Sequence, residues 1–162
     1  MENITSGYEV KLAAQGDLAG LRFIDPLLRA DPDRAELVRD SVKQGRCIAA
    51  LDGEGVAGYA VISNRFLGKP FVDLLIVGPA HRRQGIGTLL LRDAEKRCCG
   101  PKLFTSCNRS NLPAQYLFEK CGFQRSGQIY NLDAGDPELI YFKSVGFAQV
   151  QPKFSLPFGQ KK

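Results

Sequence analysis

The chain has 162 residues, with 22 Lys+Arg, 17 Asp+Glu and one His, for a formal net charge of +5. That length fits one compact domain, which can bury roughly 70% of its unfolded surface without a metal or disulfide staple. The 44% hydrophobic and 24% charged fractions exclude disordered, collagen-like and low-complexity classes.

Tyr8–Ala13 alternates weakly and reads as a first strand. Asp17 is placed to cap a helix running to about Leu28, with Pro26 limiting or kinking its end. Asp31-Pro32-Asp33 opens a second helix that Gly45 follows. Arg46–Leu51 and Val56–Ser63 are strand-like runs joined by Asp52-Gly53-Glu54-Gly55, a hairpin signal. Phe71–Val77 is a nearly continuous apolar strand, as expected near the middle of a sheet. Gly78–Gly87 is a loop and Thr88–Cys98 an amphipathic helix. Lys102–Cys107 is a strand. Asn111 caps a last helix that Gly122 stops, and Phe123–Ile129 and Leu139–Lys143 complete the sheet. The order β-α-α-β-β-β-α-β-α-β-β predicts a mixed α/β fold. We expect one domain over 1–144. The tail at 145–162, with Phe147, Phe154 and Phe158, is an added strand or a partner-binding segment.

The longest apolar runs fall far short of the ~20 residues of a membrane-spanning helix. Met1-Glu2-Asn3-Ile4 shows no basic stretch leading into an apolar core. Neither a membrane segment nor a secretion signal is expected. The five cysteines (Cys47, Cys98, Cys99, Cys107, Cys121) are odd in number and lack a C-x-x-C. They read as reduced thiols in a cytoplasmic protein with no metal site. A basic total suggests nucleic acid, but the excess is local. Residues 70–130 hold nine bases and four acids, whereas residues 1–69 hold nine and ten. A localised anionic partner is expected, and nucleic acid is not.

The chemistry concentrates in Asp73–Thr88. An apolar strand leads through the basic loop His81-Arg82-Arg83-Gln84 to Gly85-Ile86-Gly87 and a helix start. Two glycines let backbone approach a ligand, and a helix start supplies unpaired N–H groups and a positive dipole end. That combination suits a phosphate or pyrophosphate. A P-loop is excluded because G-x-x-x-x-G-K-[ST] is absent, and a dinucleotide fingerprint because its third glycine is missing.

Arg82-x-x-Gly85-x-Gly87 resembles the acetyl-CoA-binding pattern [QR]-x-x-G-x-[GA] of the GNAT N-acetyltransferase superfamily. The stretch Asn111 to Phe123, with Ala114 and Leu-Phe118-Glu119-Lys120-Cys-Gly122-Phe123, resembles the family's second block, N-x-x-A…L-Y-E-K-x-G-F. The pair stands in the family's order and spacing. The likeness covers about Tyr8–Lys143 and is strongest over 71–123.

The resemblance implies a single GNAT-like domain with a sheet splayed near its middle. It implies direct acetyl transfer from acetyl-CoA to a primary amine on a small molecule or peptide. Backbone groups of Leu75, Ile76 and Val77 would pair with the pantetheine arm. Arg82, Arg83, Gln84, Gly85, Ile86, Gly87 and Thr88 would hold the pyrophosphate. Asn111 would bond the pantetheine or cap the last helix. Asp73 would be the general base. On the residues alone, Asp73 shares a strand face with Phe71, Leu75 and Val77, and it serves equally well as a carboxylate meeting solvent or a cross-strand base. Phe118 departs from the many family members that carry a Tyr there, proposed to protonate the departing thiolate. Tyr116, about 200° around the helix, reads as packing. His81 reads as solvated or phosphate-facing. The acceptor is open: Asp25, Asp31, Asp33 and Asp40 suit a cationic amine or form an exposed polar face. A homodimer, a non-catalytic CoA-binding regulator and an accessory subunit using the aromatic tail also stay open.

Overall fold

Three short polar side chains set the starts and turns of the framework. The computed structural model describes residues 7–146. Asp31 Oδ1 accepts from the Asp33 and Arg34 amides at 3.0 and 3.1 Å, and Pro32 sits where the helix needs no donor. Asp52 Oδ1 accepts from the Glu54 and Gly55 amides at 2.7 and 2.9 Å, closing the predicted hairpin. Asn111 Oδ1 accepts from the Ala114 amide at 3.2 Å and starts the last helix.

The elements in chain order are β1 (Glu9–Leu12), α1 (Leu18–Ile24), α2 (Leu27–Ala30), α3 (Pro32–Lys43), β2 (Cys47–Leu51), β3 (Val56–Phe66), β4 (Lys69–Val77), α4 (Ile86–Arg97), β5 (Lys102–Asn108), α5 (Leu112–Lys120), β6 (Gln124–Ile129) and β7 (Glu138–Ser144). The seven strands form one sheet in the order β1-β2-β3-β4-β5-β7-β6. Among the described residues, only the β4–β5 pair is parallel. The mixed α/β class matches the sequence expectation. Phe147, Phe154 and Phe158 of the expected tail lie outside the described residues. Among the described residues, no helix is long and apolar enough to cross a membrane.

Local departures have local causes. The helix expected from Asp17 to Leu28 is two helices broken at Asp25-Pro26, because proline withholds a donor and clashes with the preceding turn. Asp17 does not cap α1. Its Oδ2 instead accepts from the Ala14 amide at 2.7 Å and holds the turn before the helix. β4 starts two residues early because Leu67 and Gly68, at φ +51° and +73°, make a two-residue hairpin turn. α4 starts at Ile86 rather than Thr88, directly after Gly85.

α1, α2 and α3 cover one face, where Leu21, Ile24, Val38 and Val42 pack on Ala49, Tyr59 and Val61. α4 and α5 cover the other, where Ile86, Leu90, Leu91 and Phe118 pack on Ala60, Val72 and Leu103. The α1–α2 break carries a buried carboxylate, Asp25, which is 3% exposed. It accepts from Tyr59 Oη at 2.5 Å, from Arg34 Nη2 and Nε at 2.8 and 3.0 Å, and from the Leu27 amide at 3.2 Å. A buried charge is tolerated only when paired and hydrogen-bonded. This one satisfies both conditions and ties α2 and α3 to β3. Burial, then the Asp25 contact, pushes the Tyr59 phenol well above its usual range, so it stays a donor.

Replacing Asp25 by Ala strands the Arg34 guanidinium and is expected to cost about 3–5 kcal/mol of unfolding free energy. Tyr59→Phe, which leaves the ion pair in place, is expected to cost about 1–3 kcal/mol. Urea denaturation of both variants checks the order and the size.

Candidate active site

β4 lies at the centre of the sheet, yet of its nine residues only Val72 is buried. This apolar strand near the middle of the sheet stays half-buried because β4 pairs with β5 only at Phe71–Phe104 and Val72–Thr105. Beyond Val72 the two parallel strands part. From Asp73 to Val77, the β5-facing edge of β4 has no ladder partner among the described residues, and Leu74, Leu75, Ile76 and Val77 are half-buried along the opening. Backbone N–H and C=O groups at such an edge require another partner.

The open edge runs into the N-terminus of α4 through a short loop. Gly85, at the cap position, has φ +83°, a region that glycine enters without strain. Arg83 has φ +61°, which is uncommon for a side chain with a Cβ. Arg82, Arg83, Gln84 and Gly85 are exposed. The first-turn amides of α4 have no intrahelical partner, and the helix dipole adds positive potential there. Arg82 Nε lies 3.5 Å from Val77 O, at the end of the opening.

The loop is tethered from the far side of the chain. Gln84 Oε1 accepts from Tyr8 Oη at 2.6 Å, and Gln84 Nε2 donates to Ala80 O at 3.2 Å. His81 Nδ1 stands 3.4 Å from Tyr8 Oη and 3.6 Å from Asp52 Oδ2. The Glu54 amide, followed by the Gly55 amide and His81, holds the Asp52 carboxyl below its usual range. His81 is thus half-buried beside Tyr8 and Asp52. Tyr8 is 73 residues from His81, and no local pattern announces that contact.

The two glycines have different duties. A Cβ on Gly87 would lie 2.7 Å from Leu117 Cδ2. Gly87 therefore seats α5 against α4, and only Gly85 shapes the loop. The Ile86 side chain is core, 1% exposed, so Ile86 meets the opening through backbone alone. Thr88 Oγ1 accepts from Cys121 Sγ at 3.8 Å, a second α4–α5 contact. Asn111 Oδ1 is spent on capping α5. Phe118 is 2% exposed, with its ring centroid 5.4 Å from that of Tyr141 and 6.1 Å from that of Phe123. Tyr116, expected to pack, is 70% exposed instead, because Phe118 takes the inward position of α5.

Asp73 sits at a bulge. Val61 pairs with Leu74 and Ile62 with Val72, so Asp73 is the extra residue. The bulge resets the alternation. Val72, Leu75 and Val77 join the core under α4, while Leu74 and Ile76 join the core under α1–α3. Phe71, in regular register next to Val72, therefore faces away from Leu75 and Val77, contrary to the simple period-2 reading, and Asp73 marks the switch. Its neighbours are Ser63, Arg65 and Arg46. Burial pushes the Asp73 carboxyl above its usual range, and the Ser63 hydroxyl and the two guanidinium groups oppose this. Asp73 Oδ2 is buried with no hydrogen-bond partner among the described residues.

The acidic helical segment also changes meaning. Asp25 is consumed by Arg34 and Tyr59, and Asp31 by its cap. Asp25 is therefore withdrawn from the acidic face, while Asp31 and Asp33 stay exposed.

The family model for the GNAT family of acetyltransferases matches residues 17–123. The chain belongs to this family. Among solved structures, a GNAT acetyltransferase from Bacillus cereus ATCC 10987 is 32% identical, covers 86% of this chain and 98% of its own, and superposes with a TM-score of 0.80. The ribosomal-protein-S18-alanine N-acetyltransferase of Escherichia coli is 21% identical over 87% of this chain and 96% of its own, with a TM-score of 0.67. A Salmonella typhimurium protein of the acetyltransferase class, solved with its cofactor acetyl-CoA, is 16% identical over 90% of this chain and 98% of its own, with a TM-score of 0.69. The last two likenesses show the fold alone. No curated protein matches the chain in sequence. The GNAT match takes in the opened strand, the glycine loop and α5, and it ends at Phe123 just before β6.

In this GNAT chain, Gly85→Ala places a Cβ in a left-handed cap. It is expected to lower stability by about 1 kcal/mol, and to weaken acetyl-CoA binding by more than that loss of stability explains. Thermal unfolding paired with calorimetric titration separates the two effects.

Proposed function

We propose that the chain binds acetyl-CoA in the β4–β5 opening and transfers its acetyl group to a primary amine. The observation that carries this reading is the unpaired β4 edge leading straight into the amide-rich start of α4. Leu75, Ile76 and Val77 offer free backbone groups to an extended amide-bearing arm, as an added strand would find them. The N–H groups around Gly85–Thr88 and the side chains of Arg82 and Arg83 face a pyrophosphate at the helix start. Both sets of groups fit the donor, and Arg82 and Arg83, exposed in the loop, add positive charge at its anionic end.

Acetyl-CoA supplies an acyl carbon already activated as a thioester. The chain's task is to hold a neutral amine against that carbon. A C–N bond forms, the C–S bond breaks, and the electron pair leaves with sulfur. An N–H of the open β4 edge polarises the carbonyl oxygen. Asp73 takes the proton that the nitrogen sheds and returns it to solvent. Phe118 has no proton to give, so the leaving thiolate collects its proton from water. A free thiol of pKa about 8.5 makes that tolerable. Holding the two reactants together supplies much of the rate. Reduced cysteines suit a cytoplasmic setting. A second reading, a CoA-binding regulator without catalysis, draws on Phe118, and steady thiol release over a panel of amines rejects it.

Calorimetric titration of the folded protein with acetyl-CoA is expected to show one site per chain, and absence of binding contradicts the proposal. The rate kcat/KM should fall on the acid side with a midpoint above the ordinary aspartate range, because burial raises the Asp73 carboxyl and only its ionised form accepts a proton. Asp73→Asn should lower kcat/KM at neutral pH by about 100-fold or more and remove that acid limb. A variant with the wild-type rate and profile retires Asp73 as the base.

A further inference from the structure

The bulge leaves an incomplete charge pattern at the closed end of the β4–β5 opening. Asp73 is the first residue of β4 beyond its last pairing with β5, and its Oδ2 has no partner among the described residues. Arg65 stands on neighbouring β3, in the stretch between Ser63 and Phe66 where the register slips again. Its amide donates to Ser63 Oγ at 3.2 Å. Its guanidinium is on an exposed residue and makes no ion pair or side-chain hydrogen bond among the described residues. Asp73 and Arg65 feel each other's charge without closing into a salt bridge.

The other cation nearby is already committed. Arg46 is 8% exposed, donates through Nε to Gln44 Oε1 at 2.9 Å and through Nη1 to Ile62 O at 3.3 Å, and is shared electrostatically between Asp73 and Asp40. What stays unspent is one buried carboxylate oxygen and one forked cationic donor, on adjacent strands and within reach of each other's charge.

We propose that the acceptor is an α-amino acid, its amine directed to Asp73 and its carboxylate held by Arg65. The inference rests on the acetyl-transfer reading above and names its substrate class. A carboxylate one carbon from the amine completes both unspent groups at once, and a guanidinium binds it bidentately. A polyamine or aminoglycoside would bring a second cation against Arg65. A peptide N-terminus or a lysine side chain would leave the guanidinium without its anion.

The test uses the full chain with saturating acetyl-CoA and follows thiol release. The twenty amino acids are screened, and each one turned over is compared with its carboxamide and its decarboxylated amine. The amino acid should exceed both in kcat/KM by about tenfold or more, the worth of one charge-assisted hydrogen bond. Arg65→Gln should raise KM for the amino acid by a similar factor and bring the amino acid:amide ratio toward one, with Arg65→Lys restoring part of the preference. Equal use of amide and amino acid, no turnover of any amino acid, or a ratio unmoved by Arg65→Gln overturns the inference. Calorimetry with acetyl-CoA separates the two levels. Binding without amino-acid preference overturns this inference alone, whereas no binding overturns the acetyl-transfer reading and this inference with it.

Discussion

Two parallel strands at the centre of this sheet cannot stay paired, and everything distinctive about the molecule follows from that. β4 and β5 meet at Phe71–Phe104 and Val72–Thr105 and then part. A sheet that opens in its middle leaves backbone donors and acceptors half-buried, which is costly unless something fills the opening. The remaining strand pairs are antiparallel and extended, from four register positions between β1 and β2 to seven between β5 and β7. They hold the two halves of the sheet while its centre is open. The side chains of Leu75 and Val77 close one wall against the α4 core, and Leu74 and Ile76 close the other against α1–α3.

Two polar clusters keep the opening in shape. Asp25, Arg34 and Tyr59 lock the broken α1–α2 segment and α3 onto β3. Tyr8, Gln84, His81 and Asp52 tie the glycine loop to β1 and to the β2–β3 turn. Neither cluster touches the reacting atoms in the proposed chemistry. Each fixes a segment that borders the site, where small displacements cost rate. The bulge at Asp73 adds a third constraint. It turns one carboxylate out of the ladder toward Ser63, Arg65 and Arg46, where burial and guanidinium charge pull its proton affinity in opposite directions.

What was legible in the sequence was the local grammar. Asp31-Pro32, Asp52-Gly53 and Asn111-x-Pro113 each announce a cap or turn whose hydrogen bonds involve residues two or three positions away, so short-range reading suffices. The glycine loop and the block from Asn111 to Phe123 were legible as motifs because their spacing is fixed by one helix start and one helix face. What escaped depends on tertiary contact. A period-2 rule cannot foresee a one-residue bulge, so it wrongly carries the face of Phe71 through to Leu75 and Val77. The duty of Gly87 is set by Leu117 of α5, and the restraint of His81 by Tyr8 on the far edge of the sheet. Tyr116 read as packing because helical spacing gives a face but not its polarity of exposure. The proline break at Pro26 was visible as a limit, but not as the seat of a buried ion pair.

The most direct test of the central claim is amide hydrogen exchange of the full chain with and without acetyl-CoA. Filling the opening should slow exchange in the segments 73–77 and 83–88 by about tenfold or more at saturating donor, with little change in β1, β2 or β6. Acetyl-CoA that binds yet leaves those segments unprotected, or protects a different surface, would contradict the account.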